Sequence, residues 1–489
     1  MNIFPAELDV LVLGAGPAGV CCALRLKEMG NTVGLLESEI FPRAQIGESL
    51  SPGIRNIFEY LRADHLLENE AYLHHVPASI IWEQRRQVYQ HPEKLSGGII
   101  VDRSILDSEL LKLAVSRGLS LLQPALADHF HFTHEMWHVQ IKQGQNTLTV
   151  KTKVILDARG RKGTLLNQRF HTAPSSVAIW THVPAQHMPF CTLVEVIREG
   201  WFWGSPVTEK MYRIMAFCDG AGINGSIMQH FEQLLQQSEL LKQAENYLSG
   251  AVIETCSTTS YTARQPWLNQ FIKTGEAAFA IDPLSSSGVE KAMRFSLQTA
   301  IAINTLLKTG DETLAKGFYE EKLIESIVHH THWTAGYYNT AWAAKENNDF
   351  WMLRKSFVPG QADSTNEFLQ NLIRNLALPP TAVSTKAKLP VDLVIQKLGS
   401  CTIQIAKDID YKTMYGVKDD LVQIIPAIHH PSLSTPISFI EDLPLLGLLL
   451  EIDNKTISEA ENQLKSRLTA EKTKKIIVFL WQNELINFK

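Results

Sequence analysis

The chain has 489 residues, 45% hydrophobic and 20% charged, with a formal net charge of -5. That length holds two or three domains with a sizeable core, and the composition excludes a disordered or fibrous protein. The mild acidity argues against nucleic acid as the main partner, which calls for a basic excess. Six scattered cysteines without a C-x-x-C pair indicate neither a disulfide framework nor a zinc site, so a reducing compartment is the simpler setting. MNIFPAELD carries no basic stretch followed by an apolar one. The longest apolar run, Leu443 to Leu450, is interrupted by Pro444 and too short for a membrane span, so a soluble cytoplasmic protein is expected.

Asp9 to Glu37 reads as strand, turn, helix and strand with a nucleotide site built in. Val10 to Leu13 is an apolar run of buried-strand type, and Gly14, Gly16 and Gly19 follow at G-x-G-x-x-G spacing. The first glycine allows a tight turn, the second lets a pyrophosphate approach the backbone, and the third lets the helix pack on the strand. Pro17 and Ala18 open that helix beneath the phosphate, where its amides and dipole favour negative charge. Gly30 and Asn31 end it. Glu37, about 20 residues on, is placed to bind a ribose hydroxyl. FAD and NAD both satisfy this unit.

Next, Phe41, Pro42 and Arg43 lie in a loop, and Gly47, Glu48 and Ser49 precede a helix from about Pro52. The segment LLESEIFPRAQIGESLSP resembles the flavin-dependent halogenase branch of the FAD-dependent aromatic-hydroxylase superfamily. The resemblance implies that this loop runs along the flavin, which makes Arg43, Glu48 and Ser49 candidate cofactor contacts. The pattern V-D-R-x-x-L-D at Val101 to Asp107 opens an amphipathic helix, and the resemblance implies that Arg103 contacts the flavin. From the residues alone, the alternative is that Arg103 only caps or pairs on its helix surface. Leu119 to Leu122 is expected as the third parallel strand. His129, His131, His134 and His138 alternate along strands and read as solvent-facing, so no metal site is expected. VILDARG, Val154 to Gly160, resembles the D-A-x-G-R return to the FAD sheet.

From Phe170 to Trp267 the pattern changes to short β-type runs with one helical excursion at Ile227 to Leu248, read as an inserted antiparallel substrate sheet. In GWFWGSP, Trp201 and Trp203 project to one face and form either an aromatic substrate wall or core packing. The segment resembles the halogenase motif W-x-W-x-I-P, with Ser205 in place of the isoleucine. TGEAAFAIDPLSSSGVEKA, Thr274 to Ala292, resembles the second flavin signature. It implies that Asp282, Pro283, Ser287, Gly288 and Val289 hold the ribityl chain and ring at a helix N-terminus, with Glu276 where G-D is usual. Together the four motifs favour FAD over NAD. Phe318 to about Asn348 reads as one long helix whose Trp333, Tyr337, Tyr338 and Trp342 are core or groove, while His329, His330 and His332 are expected on a solvated face.

The expected architecture is α/β. A Rossmann-type FAD domain comprises residues 1–74, 98–168 and 270–315, and a β-sheet substrate domain comprises 75–97 and 169–269. A helical extension (316–378), a linker (379–390) and a small α+β winged-helix-like domain (391–489) follow. In that last domain Thr456 or Ser458 caps a helix, with Glu461 placed for a capping box from Ser458.

Three functions fit: an oxygenase acting through a flavin hydroperoxide, a tryptophan halogenase, or a non-catalytic FAD-binding maturation protein. The halogenase relay lysine lies a few tens of residues after the G-E motif, but no lysine occurs between Lys27 and Lys94. That absence, with Ser205, shifts the expectation to ring hydroxylation. The core and the added C-terminal domain are similar to flavoproteins that make quinone cofactors from tryptophan within a protein, such as those serving quinohemoprotein amine dehydrogenase. Such a likeness implies a tryptophan-bearing peptide or protein as substrate, O2 as co-substrate, and NAD(P)H or a separate flavin reductase as electron source. No catalytic base is assigned.

Overall fold

The computed structural model describes residues 4–91, 98–223, 225–346, 348–378, 390–398, 400–433 and 435–489. In chain order, the first unit contains Glu7–Leu13 (β1), Pro17–Glu28 (α1), Val33–Leu36 (β2), Ala78–Ile81 (β3) and Val88–Gln90 (β4). Arg103–Ser116 (α2), Ser120–Leu122 (β5), Leu126–Thr133 (β6), Met136–Gln143 (β7) and Asn146–Asp157 (β8) follow. Then come Val177–Pro184 (β9), Thr192–Ile197 (β10), Gly200–Pro206 (β11), Met211–Cys218 (β12), Ile227–Gln236 (α3), Glu254–Ser257 (β13) and Phe271–Lys273 (β14). Gly288–Thr309 (α4), Glu312–Thr340 (α5), Asp349–Lys355 (α6) and Glu367–Ala377 (α7) complete it.

Strands β14, β8, β1, β2 and β5 lie side by side and parallel, so β5 is the third parallel strand after β1 and β2. Val10, Leu11 and Val12 are wholly buried because both faces of the sheet are covered, the face carrying Leu11 by Val139 and Ile141 of β7, which is why β1 reads as a continuous apolar run. The hairpin of β6 and β7 extends the sheet from β8, and its histidines are half-buried or exposed. Among the described residues no acidic, histidine and cysteine cluster could hold a metal. The cysteines are free. No described helix is long and apolar enough to cross a membrane.

The second sheet has the order β13, β9, β12, β11, β10, β3, β4. It is antiparallel except where β10 pairs with β3 in parallel, which corrects the purely antiparallel expectation: β3 arrives from a distant part of the chain rather than from a hairpin. Alternation divides its residues between two faces. Ile179, Phe202, Ile214 and their neighbours pack against Phe231, Leu234 and Leu235 of α3. The excursion breaks after α3, where Glu195 accepts hydrogen bonds from the Ser238 hydroxyl and the Glu239 and Leu240 amides. The long helix is also shifted. Asp311 caps α5 by accepting from the Leu314 amide at 2.9 Å, and the chain leaves the helix after Thr340 so that the Trp342 amide can bond the Trp82 carbonyl.

Residues 378–489 form a second compact unit, separate from residues 1–377. It contains Val391–Leu398 (α8), Ile403–Ile405 (β15), Asp410–Lys418 (β16), Leu421–His429 (β17), Leu445–Ile452 (α9), Ile457–Leu464 (α10), Ala470–Gln482 (α11) and Ile486–Phe488 (β18). Its core is Leu445, Leu448, Leu449, Ile452, Leu464, Ile477 and Leu480. The β16–β17 hairpin precedes α9–α11, whereas the wing of a winged helix follows its helices. The capping box belongs to Thr456 and Glu459 rather than Ser458 and Glu461: the Thr456 hydroxyl accepts from the Glu459 amide, and the Glu459 carboxylate accepts from the Thr456 amide. Most of the expected linker, residues 379–389, lies outside the described residues.

Candidate FAD and substrate site

The three glycines of the first turn do different work. Gly14 has φ +101°, and a Cβ there would stand 2.6 Å from the Ala158 carbonyl oxygen. Gly19 is packed as tightly, its Cβ position lying 2.0 Å from the Gly14 oxygen. Gly16 faces open space, with nothing nearer to a Cβ than Arg43 Nη2 at 3.9 Å. A pyrophosphate needs that space, and Pro17 at the first position of α1 sacrifices no paired amide beside it.

Glu37 is buried and accepts from the Ala15 amide at 2.9 Å, so it braces the turn. Arg43 Nη2 lies 3.9 Å from Glu37, and Arg43 Nε is buried without a hydrogen-bond partner among the described residues. A cation with an unsatisfied donor beside an open glycine fits a dinucleotide phosphate. Glu37→Ala is expected to weaken FAD binding more than FMN binding, measured by quenching of flavin fluorescence; equal losses would contradict the ribose assignment.

Arg103 is almost fully buried and forms a bidentate pair with Asp107 at 2.9 and 3.0 Å. Its Nη1 also donates to the Ile46 carbonyl at 3.0 Å, so it anchors the loop that leads into Glu48. Ser49 begins a short bridge with Ile100. Glu48 is buried and receives a hydrogen bond from Arg213 of β12. Arg213 was not legible as a site residue.

Asp157, fully buried, accepts from Arg159 at 2.9 and 2.8 Å and closes the D-A-x-G-R turn. Glu276 pairs with Arg161 at 3.1 Å. Asp282 accepts from the Leu284 amide at 3.0 Å and faces the Tyr338 hydroxyl with both oxygens, at 3.0 and 2.9 Å. Burial pushes its carboxyl up from the usual range. Pro283 opens a short turn, Ser287 bonds Ser285 at 2.6 Å, and Gly288 and Val289 begin α4 with no side-chain cap and no atom within 4 Å of a Gly288 Cβ. This open N-terminus fits the second anionic or polar portion of FAD.

His330 does not lie on a solvated face. It is buried, and Nε2 is 3.1 Å from the Asp282 carbonyl oxygen; burial depresses its pKa to about 4. The unfolded chain binds this proton near pH 6.5 and the folded chain resists it until about 4, so stability is fully present above 6.5 and is lost as pH falls. His330→Gln is expected to remove about 2 kcal/mol of the stability lost between pH 7 and pH 5. Urea midpoints at the two pH values check this.

The other face of the second sheet carries aromatic rows. Trp180, Met215, Trp203, Val194 and Ile80 align across five strands, and Ala178, Phe217, Trp201 and Val196 form the next row. Trp201 is stacked on Phe217 at 4.0 Å and meets Trp82 edge-on at 6.2 Å. It is therefore packed wall, whereas Trp203, Trp180 and Met215 keep slightly more surface. The aromatic set on α5 splits: Tyr338 is buried beside Trp82 and Trp351, while Trp333 and Tyr337 are exposed. Ile46, from the loop before Glu48, and Leu284, from the turn after Asp282, pack on this same cluster.

A family model described as FAD dependent oxidoreductase matches residues 9–167, the segment that holds the glycine turn, Glu37, Arg103 and Asp157. A tryptophan 2-halogenase of Chondromyces crocatus is 27% identical over 342 residues, covering 65% of this chain and 65% of that protein. The chain is similar to the FAD-dependent halogenases and monooxygenases. FAD is its cofactor and oxidoreduction its class of chemistry. The flavin-dependent halogenase armH4 of Armillaria mellea is 25% identical over 378 residues, covering 66% of this flavoprotein and 70% of the relative. Two solved folds are similar nearly end to end. The peptidyl tryptophan dihydroxylase QhpG has a TM-score of 0.72 at 19% identity, covering 98% of this chain and 100% of that one. The halogenase CmlS has a TM-score of 0.70 at 19% identity, covering 100% and 96%.

Proposed function

We propose that this flavoprotein is a monooxygenase that hydroxylates an indole ring, with a tryptophan residue of a peptide or protein precursor as substrate, during formation of a quinone cofactor. The observation that carries the reading is the packing of Ile46 and Leu284 on the cluster of Trp82, Trp201 and Trp203, which brings the FAD loops to the edge of an aromatic face. Bound and reduced FAD supplies activated oxygen from O2, with NAD(P)H or a separate reductase as electron source. The chain's own contribution is placement. Trp180, Trp203 and Met215 form a water-poor row against which an aromatic ring can lie, and Trp201 packs in the next row of the same face. The named function of QhpG and its end-to-end likeness to this fold support the polypeptide substrate.

Halogenation is the second reading, favoured by the names of the sequence relatives. Against it stands the lack of any lysine between Lys27 and Lys94. We assign residues 390–489 part of the holding of the large substrate, because residues 378–489 form a compact unit of their own. Chain ending at Leu389 is expected to bind FAD as the full chain does and to lose oxygen addition to the polypeptide, read by mass spectrometry. Full activity of the shortened chain would contradict the holding role, and efficient hydroxylation of free tryptophan would contradict the polypeptide substrate.

A further inference from the structure

Beyond the aromatic rows, the same sheet face continues into a polar one. His182, Arg213 and Ser205 are register partners across β9, β12 and β11, and the Ser205 hydroxyl bonds Thr192 at 3.0 Å. This row lies two residues along each strand from Trp180, Met215 and Trp203, a step of about 7 Å. Ser205, the departure from the W-x-W-x-I-P pattern, therefore belongs to a polar row.

Arg213 reaches out of the sheet. Its Nη1 donates to Glu48 Oε1, and its Nε donates to His182 Nε2 at 2.9 Å. The other Glu48 oxygen accepts from the Gly47 amide at 3.0 Å. Gly47 has φ +99°, and a Cβ there would come within 3.1 Å of Arg103 Nη1. The Ile46–Glu48 loop is thus gripped by two buried arginines: Arg103 from the FAD-side helix α2, held by Asp107, and Arg213 from the substrate sheet, held by His182. Only a neutral imidazole can accept at Nε2, and burial together with the Arg213 charge lowers the His182 pKa to about 4, which preserves the acceptor at neutral pH.

We propose that Arg213 is a positioning residue for FAD, acting through Glu48 to set the Ile46–Glu48 loop from the substrate sheet. The proposal rests on the FAD cofactor and stands whether the ring is hydroxylated or halogenated. Losing one member of a buried hydrogen-bonded charge pair leaves the other without its counter-charge, so the loop is expected to abandon this conformation.

The test is a double-mutant cycle on FAD affinity, measured by flavin fluorescence quenching, with melting curves of the FAD-free proteins run beside it. Arg213→Gln is expected to weaken FAD binding by about tenfold or more. Arg213→Lys should recover part of the loss, because an ammonium reaches Glu48 but cannot hold His182 at the same time. In a Glu48→Gln background the Arg213→Gln effect should largely vanish. His182→Gln, which keeps an acceptor, should bind FAD better than His182→Leu. If Arg213→Gln does not fold, Arg213→Lys in the same cycle and the His182 pair carry the test. Additive effects of Glu48 and Arg213, or FAD binding unchanged by any Arg213 variant, would overturn the proposal.

Discussion

Gly16→Val is expected to abolish useful FAD binding while leaving the fold intact. The backbone at Gly16 is extended, with φ -69° and ψ 174°, so valine meets no conformational penalty there. A Cβ there also meets no atom nearer than 3.9 Å. Gly16 is the N-cap of α1 and valine is a poorer cap than glycine, so stability should fall by about 1 kcal/mol, too little to unfold the domain. The added methyl groups fill the approach of the pyrophosphate, and the expected loss is about hundredfold in affinity or more, equivalent to about 2.7 kcal/mol. Gly14→Ala is expected to behave differently, because its positive φ and the Ala158 carbonyl at 2.6 Å place the damage in the fold itself. Melting of the FAD-free proteins and fluorescence titration with FAD separate the two. Gly16→Val protein that binds FAD like the parent would show that the cofactor phosphates lie elsewhere.

The largest loss of stability is expected from Trp351→Ala. Trp351 is fully buried and meets Trp82, Tyr338 and Phe350 edge-on at 6.0, 5.9 and 5.0 Å. Its indole N–H donates to the Ile197 and Arg198 carbonyls at 3.2 and 3.0 Å, joining α6 to the end of β10. Truncation removes the ring, empties its volume and strips those carbonyls of a donor, for a combined cost of about 3–5 kcal/mol. Urea denaturation measures it. A change under about 1 kcal/mol would mean that the aromatic cluster is not a packed core.

The parts of this protein that rest on backbone requirements were legible. A glycine needed at φ +101° or beneath a phosphate leaves a mark at its own position, and so does a run such as Val10 to Leu13 buried on both faces. The polar groups of the site left no such mark. Arg213 and His182 interrupt apolar strands with the period of an ordinary solvent face, yet Glu48, the partner of Arg213, lies 165 positions away and only the fold brings them together. Ser205 looked like a loss of the family pattern, and its meaning emerged from the register beside Arg213. His330 was assigned to solvent because its helix also carries His329 and His332; burial is decided by what packs on that turn, here the Asp282 loop. Trp201 and Trp203 kept two readings in sequence; in the structure both are buried in one cluster, Trp201 stacked on Phe217 and Trp203 in register with Met215.

The central claim, oxygen rather than halogen transfer to a tryptophan side chain in a polypeptide, is tested most directly by one mass-spectrometric measurement. FAD-loaded full-length protein is incubated with a flavin reductase, NADH, O2, bromide and a tryptophan-bearing peptide, and the peptide is then fragmented to locate any added mass. The account predicts mass added in whole oxygen atoms on the tryptophan residue and no bromine isotope pattern. A brominated tryptophan without oxygen addition would contradict it.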